Sequence, residues 1–113
     1  MNENSYLFEE FYLAASDVLI PLQTQDSVRS SELLKVEEYA LQVARHLKGE
    51  EYLPRKTLVI YRKLITTLQN EAPDRGEESS KLLQLAARIE NTFDLILAGE
   101  SPDDRIPGVP RII

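Results

Sequence analysis

Four segments of the chain carry apolar residues at alternating intervals of three and four positions, and this periodicity restricts the fold more than any other feature. Because an α-helix has about 3.6 residues per turn, such residues line one face of a helix. The pattern predicts helices near residues 5–20, 27–48, 54–71 and 80–98. The most regular run, in the second segment, consists of Leu33, Val36, Ala40, Val43 and Leu47.

The predicted helix ends rest on residues with restricted or unusual backbone conformations. Pro21 should end the first helix, because proline lacks an N–H and disfavours helical geometry in the residue before it. The second helix should end at Gly49, which suits a left-handed conformation just beyond a helix. Pro54 fits the start of the third helix, and Ser79 or Ser80 the start of the fourth.

The segment TLVIY, residues 57–61, has a composition that also suits a β-strand. Its apolar positions continue at helical spacing into the following residues, and the chain offers no second strand to pair with it, so a helix is predicted. Four amphipathic helices with short to moderate connections predict an all-α fold, an antiparallel four-helix bundle. We expect this bundle to form one domain over residues 1–99.

Residues 100–113 form a different kind of segment, which contains Pro102, Pro107 and Pro110. Residues Ser101–Asp104 are predicted to form one helical turn, and the chain after them should be extended. Aliphatic residues recur along it, at Ile106, Val109, Ile112 and Ile113. We expect this extended C-terminal tail to pack on the bundle as a strap. Packing on a partner or on a second copy, and disorder, are the alternatives.

The sequence offers little catalytic or cofactor chemistry. There is no Cys, and the single His, His46, lacks the Glu-x-x-His spacing of a carboxylate-bridged metal site. No glycine-rich phosphate loop is present. We therefore expect no cofactor and no metal, and an enzyme is the least favoured function class. No signal peptide and no membrane-spanning run is found, which favours a cytoplasmic protein.

Charge is unevenly distributed along the chain. The net charge of −6 disfavours direct nucleic-acid binding, because phosphates attract Lys and Arg. Residues 1–51 carry 10 acids and 4 bases, whereas residues 52–70 carry 4 bases and no acid. The basic segment either packs between acidic neighbours or forms a local anion site.

The first helix has more apolar residues than one buried stripe requires. Aromatic and aliphatic side chains left outside a core are typical of a protein interface. The alternative is a central helix covered by the tail. The surplus consists of Tyr6, Leu7, Phe8, Phe11, Tyr12, Leu13, Val18, Leu19 and Ile20.

These observations together favour a small acidic protein-binding module. The most specific hypothesis is an inhibitor of the immunity or antitoxin type, which neutralises a basic partner such as a toxin or nuclease, because acidic surfaces speed association with basic proteins. The alternative is a self-associating structural or adaptor module, including a homodimer. The predicted partner-binding residues are Glu9, Glu10, Glu37, Glu38, Tyr12, Ile112 and Ile113.

Overall fold

The computed structural model describes the backbone of residues 3–104 and the side chains of residues 6–104. Helix α1 spans Glu3–Gln23, α2 spans Ser30–Leu47, α3 spans Arg55–Glu71 and α4 spans Ser79–Leu97. Two short 3-10 turns, Ala72–Asp74 and Gly76–Glu78, connect α3 to α4, and a third covers Pro102–Asp104. Within residues 3–104 there is no strand, which confirms the predicted all-α fold.

The helices form a four-helix bundle in which consecutive helices run antiparallel. Helix α1 packs on α2 and α3 packs on α4, and the two hairpins stack so that α1 lies beside α3 and α2 beside α4. Two contacts show that α1 and α3 are parallel. Tyr12, in the middle of α1, contacts Thr57 in the first turn of α3, and Arg75, beyond the end of α3, reaches the Leu22 carbonyl in the last turn of α1. The bundle therefore consists of an α1/α3 layer facing an α2/α4 layer.

The core contains the apolar seams that the periodicity predicts. The five predicted residues of α2, from Leu33 to Leu47, are all buried. The same holds for the predicted seam of α4, which consists of Leu82, Ala86, Ile89, Phe93 and Ile96. Burial of these side chains is the main stabilising contribution, at about 1.5–3 kcal/mol for each large aliphatic or aromatic group.

Tyr61 lies at the centre of this core and contacts both layers. Its ring centroid is 4.9 Å from that of Phe11 and 5.9 Å from that of Phe93. Its hydroxyl donates a hydrogen bond to the Ala40 carbonyl at 2.5 Å, which satisfies the polar group inside the bundle. Burial raises the pKa of Tyr61 well above the ordinary tyrosine range, because the phenolate form is desolvated.

The prediction that Pro21 ends the first helix is wrong, since α1 continues to Gln23. A proline at this position removes one intrahelical hydrogen bond, the one to the carbonyl of residue 17. The next residue, Leu22, is fully buried, and this apolar contact offsets the loss. The Thr24 N–H then donates to the Ile20 carbonyl at 3.0 Å, so the last turn remains hydrogen-bonded.

The other helix ends agree more closely with the sequence. Helix α2 begins at Ser30, three residues later than expected, with Arg29 in an extended conformation before it. Gly49 has a φ of 75°, as predicted, and Gly99 after α4 has a φ of 77°. The Gly49 N–H donates to the Gly99 carbonyl at 3.2 Å, so the ends of the parallel helices α2 and α4 are joined directly.

The predicted turn at the start of the tail is present, because Pro102–Asp104 forms a 3-10 turn. Asp104 accepts a hydrogen bond from the Ser101 N–H at 2.8 Å and pairs with Lys48, the residue that follows α2. Asp103 pairs with Arg45, in the last turn of α2, at 3.3 Å. These contacts attach the chain to α2 as far as residue 104. The predicted strap, including Ile112 and Ile113, lies outside the described residues.

Candidate functional site

The outward face of α1 carries an apolar stripe that nothing in the described part of the chain covers. It consists of Tyr6, Leu13 and Ile20, which are spaced by seven residues and therefore lie on one line along the helix. Their side chains are 65%, 60% and 59% exposed. We call these three residues the α1 stripe. Part of the apolar surplus predicted for the first helix thus lies at the surface, where such residues are typical of an interface.

Acidic side chains flank the α1 stripe on both sides. Glu9 and Asp17 are exposed and Glu10 is half-buried. None of the three forms an ion pair with another residue whose side chain the structure describes. Their charges are therefore available to a basic partner. The arrangement of an apolar line between carboxylates matches the apolar face and basic flanks of an amphipathic helix.

The other predicted partner-binding residues lie elsewhere. Glu37 and Glu38 are on α2, in the opposite layer from α1. The Glu37 carboxylate accepts two hydrogen bonds from Arg88 of α4, at 2.6 Å and 3.2 Å, so its charge is neutralised within the protein. Glu38 is exposed and has no ion pair among the described residues. The four predicted glutamates therefore do not form one surface.

Tyr12 contributes to packing between α1 and α3 instead of the α1 stripe. Its hydroxyl is 2.6 Å from the Thr57 Oγ1 atom, and the Lys56 ammonium lies 4.5 Å from its ring centroid. The hydrogen bond joins two helices of one layer, and the ammonium covers part of the ring. Tyr12 is half-buried, and we place it outside the candidate partner-binding surface.

A second exposed stripe follows α3. Tyr52, in the connection before α3, is 86% exposed, Val59 is 53% exposed and Thr66 is exposed. Val59 and Thr66 are seven positions apart on one line of α3, Tyr52 stands seven positions before Val59 in the chain, and we call these three residues the α3 stripe. The bases that flank it are Arg55, Lys56, Arg62 and Lys63. Neither stripe was identified from the sequence, although the spacing of seven is visible there, because exposed and buried apolar positions look alike before the packing is known.

The bases of α3 differ in how far other residues engage them. Arg62 approaches Glu90 of α4 at 4.0 Å, and its guanidinium lies 5.1 Å from the Phe93 ring centroid. Arg55 and Lys63 are exposed and have no ion pair with any described residue. The predicted packing of the basic segment against acidic neighbours therefore holds for Arg62, whereas Arg55 and Lys63 leave a positive surface.

A cavity of about 360 Å³ lies between α2 and α4, beside Pro102. Its walls are mainly apolar, with Leu41, Ala87 and Leu95 among them. Glu37 and Arg88, the charged residues in its wall, bind each other. Since no unpaired charged group lines it, this cavity does not carry the candidate site.

Outside these stripes the described residues offer few groups for other chemistry. No group of three His, Cys, Asp or Glu side chains within residues 6–104 is arranged to hold a metal ion. His46 is exposed, with its ring centroid 5.9 Å from that of Phe8 in an edge-to-face contact. None of the helices in the described range is long and apolar enough to cross a membrane.

The comparisons with known proteins leave the site to be interpreted from its own geometry. No family model, curated protein or solved structure matches this chain.

Proposed function

We propose that this protein is an acidic protein-binding module that uses the face of α1 to bind a basic amphipathic helix of another protein. The observation that carries the proposal is the α1 stripe, with Tyr6, Leu13 and Ile20 each more than half exposed between unpaired carboxylates. A helix with apolar residues at the same spacing would cover the stripe. Lys and Arg beside those residues would meet the flanking acids.

The most specific role that we propose is inhibition of a basic partner, such as a toxin or nuclease, in the manner of an immunity protein or antitoxin. A net charge of −6 accelerates encounter with a basic protein. The apolar stripe supplies contacts that hold the complex after encounter. We therefore expect the charge to set mainly the association rate and the α1 stripe to set mainly the dissociation rate.

The two parts of the proposal can be tested separately once cross-linking in the native host has identified the bound protein. Reversal of the acids in Glu9→Lys/Glu10→Lys should slow association, and the deficit should shrink as salt is added. Truncation of the stripe in Leu13→Ala/Ile20→Ala should chiefly speed dissociation. Both rates can be followed by surface plasmon resonance at several salt concentrations.

A matched control is available in Glu77→Lys/Glu78→Lys, which changes the net charge equally in an exposed turn outside α1. This control should slow association much less than reversal at Glu9 and Glu10. Equal effects of the two double variants would show that only total charge matters and would contradict a binding site on α1. Unchanged dissociation in the stripe variant would contradict the role of Leu13 and Ile20.

A further inference from the structure

The α1 and α3 stripes have the same spacing but opposite flanking charge. Each residue of the α3 stripe follows its counterpart in the α1 stripe by 46 positions, as 13 and 59 show. Acids flank one stripe and bases the other at matching offsets. Positions three and four after Tyr6 are Glu9 and Glu10, whereas the same positions after Tyr52 are Arg55 and Lys56.

The two stripes also lie at the same height in the bundle. Tyr12 and Thr57, which contact each other across the parallel helices α1 and α3, are 45 positions apart. This separation differs by one residue from the offset between the stripes. The ring contact between Phe11 and Tyr61 spans 50 positions, so the two contacts bracket the stripe offset. Leu13 and Val59 therefore lie at the same height to within about 6 Å, which is about one helical turn.

Both stripes face away from the core on the same side of the molecule. Phe11 and Tyr61 are fully buried and contact each other at the centre of the bundle. Leu13 is two residues from Phe11, and Val59 is two residues from Tyr61. A separation of two residues corresponds to a rotation of about 200° around the helix, so both side chains point away from the core. The outer surface of the α1/α3 layer thus presents an acidic stripe and a basic stripe side by side.

We propose that a second copy of this chain covers this surface, in a dimer whose twofold axis runs parallel to the helices. Such an axis places α1 of each copy over α3 of the other without any shift along the helices. Leu13 then faces Val59 of the second copy, and the acids beside the α1 stripe meet the bases beside the α3 stripe. Because of the twofold symmetry, the contact between α1 and α3 occurs twice in the dimer.

Charge argues against the other symmetric arrangement, in which the two α1 helices pack on each other. That pairing would bring Glu9, Glu10 and Asp17 of one copy against the same acids of the other, and adjacent like charges are unfavourable. The pairing of α1 with α3 instead brings the three acids against the bases of α3, of which Arg55 and Lys63 have no ion pair with a described residue. Complementary charge therefore favours the dimer in which α1 of each copy packs on α3 of the other.

The size of the surface indicates a weak dimer. Helix α1 has 21 residues, which corresponds to a length of about 30 Å at about 1.5 Å per residue. With two helices about 10 Å apart, the layer presents about 600 Å² per copy, or about 1,200 Å² in the dimer. This area is at the lower limit for specific interfaces, so we expect self-association to depend on protein concentration.

This inference does not rest on the proposed function, although the two are linked. In the dimer α3 of the second copy occupies the face of α1 that we assign to a basic partner. The α3 surface of the second copy therefore occupies the same face of α1 as the basic partner would. Self-association and partner binding should compete, so that the partner binds the monomer.

Cross-linking tests the geometry directly, because the sequence contains no cysteine. Single variants Leu13→Cys and Val59→Cys replace exposed residues and should preserve the helical circular dichroism spectrum. When the two are mixed and treated with a short bis-maleimide, we expect cross-linked dimers between 13 and 59, identified by mass spectrometry. Dimers formed by Leu13→Cys alone at least as readily as in the mixture would overturn the proposed arrangement.

A charge exchange tests the pairing in solution. In the proposed dimer Glu10 lies within about one helical turn of the height of Arg55 of the second copy, so Arg55→Glu should weaken the dimer and Arg55→Glu/Glu10→Arg should restore it. Mass is measured by sedimentation equilibrium over a range of protein concentrations. Lys35→Glu on the exposed surface of α2 is the matched control and should leave the dimer intact.

Two results would overturn the proposal: a monomeric mass for the wild-type protein at every concentration, or equal weakening by Arg55→Glu and Lys35→Glu without restoration in the double variant. Neither result bears on the rates measured with a basic partner. Failure of the dimer and failure of the proposed function are therefore distinguishable.

Discussion

The hydroxyl of Tyr61 on α3 donates its hydrogen bond to the Ala40 carbonyl on α2, and so joins two helices that lie diagonally across the bundle. The ring between them packs on aromatic groups of α1 and α4, at Phe11 and Phe93. One side chain thereby contacts a residue of every other helix. The relative position of the four helices depends strongly on this residue.

The variant Tyr61→Phe should therefore lower the free energy of unfolding by about 1 kcal/mol, the usual net contribution of a hydrogen bond, while the ring packing is kept. Urea unfolding followed by circular dichroism measures the change. Tyr39→Phe is the matched control, because Tyr39 is half-buried and its hydroxyl has no hydrogen bond to a described residue. An equal loss in both variants would contradict the role of the hydroxyl.

Val43 and Phe93 lie in the buried seams of α2 and α4. Replacement of either by Ala should lower the free energy of unfolding by about 2–5 kcal/mol, because buried contacts are lost and a cavity remains. Denaturant titration gives this value. Leu34→Ala on the outer side of α2, where the side chain is 67% exposed, should change it by less than about 0.5 kcal/mol. Losses that small at Val43 or Phe93 would place these residues outside the core.

The ion pair between Asp104 and Lys48 should make stability depend on pH in the acidic range. The hydrogen bond from Lys48 Nζ, followed by that from the Ser101 N–H, lowers the pKa of Asp104. A lowered pKa in the folded state stabilises the protein above the pKa of the unfolded chain, which is about 3.9 for Asp. This contribution is lost as pH falls through the pKa of the folded state.

We therefore expect Asp104→Asn to be less stable than the wild type at neutral pH, with the difference shrinking at acidic pH. Urea unfolding at a series of pH values measures it. The exposed residue Asp94, which has no ion pair with a described residue, provides the control variant Asp94→Asn. A difference between Asp104→Asn and wild type that stays constant through the acidic range would contradict this origin of the stability.

Deletion of residues 106–113 tests the prediction that the tail packs on its own bundle. Removal of Ile106, Val109, Ile112 and Ile113 should then lower the free energy of unfolding by about 1–3 kcal/mol, because partial burial and the entropy of ordering reduce the full transfer value. A melting temperature several degrees lower is expected. Calorimetry and light scattering on both proteins provide the melting temperature and mass.

The same deletion separates the alternatives for the tail. An unchanged melting temperature with loss of partner binding would indicate that the tail binds a partner. A melting temperature that becomes independent of concentration, together with a lower mass, would indicate contact with a second copy. If stability, mass and partner binding all stay unchanged, residues 106–113 contribute to none of these properties.

The sequence alone determines the number of helices, their approximate positions and their buried seams. These features depend on residues within a few turns of each other, whose apolar spacing and terminal glycines constrain the local backbone. The seam from Leu33 to Leu47 and the left-handed Gly49 could therefore be predicted. The surplus of apolar residues in α1 was also visible, although not which of them would remain exposed.

The tertiary structure alone decides the relations between residues that are far apart in the chain. Burial of Leu22 lets α1 continue through Pro21, against the local preference of proline. Arg88 pairs with Glu37 only because α4 packs beside α2. The α1 and α3 stripes become neighbours because α1 and α3 lie in one layer. No local pattern encodes these contacts, since they arise from how four amphipathic helices bury their apolar faces together.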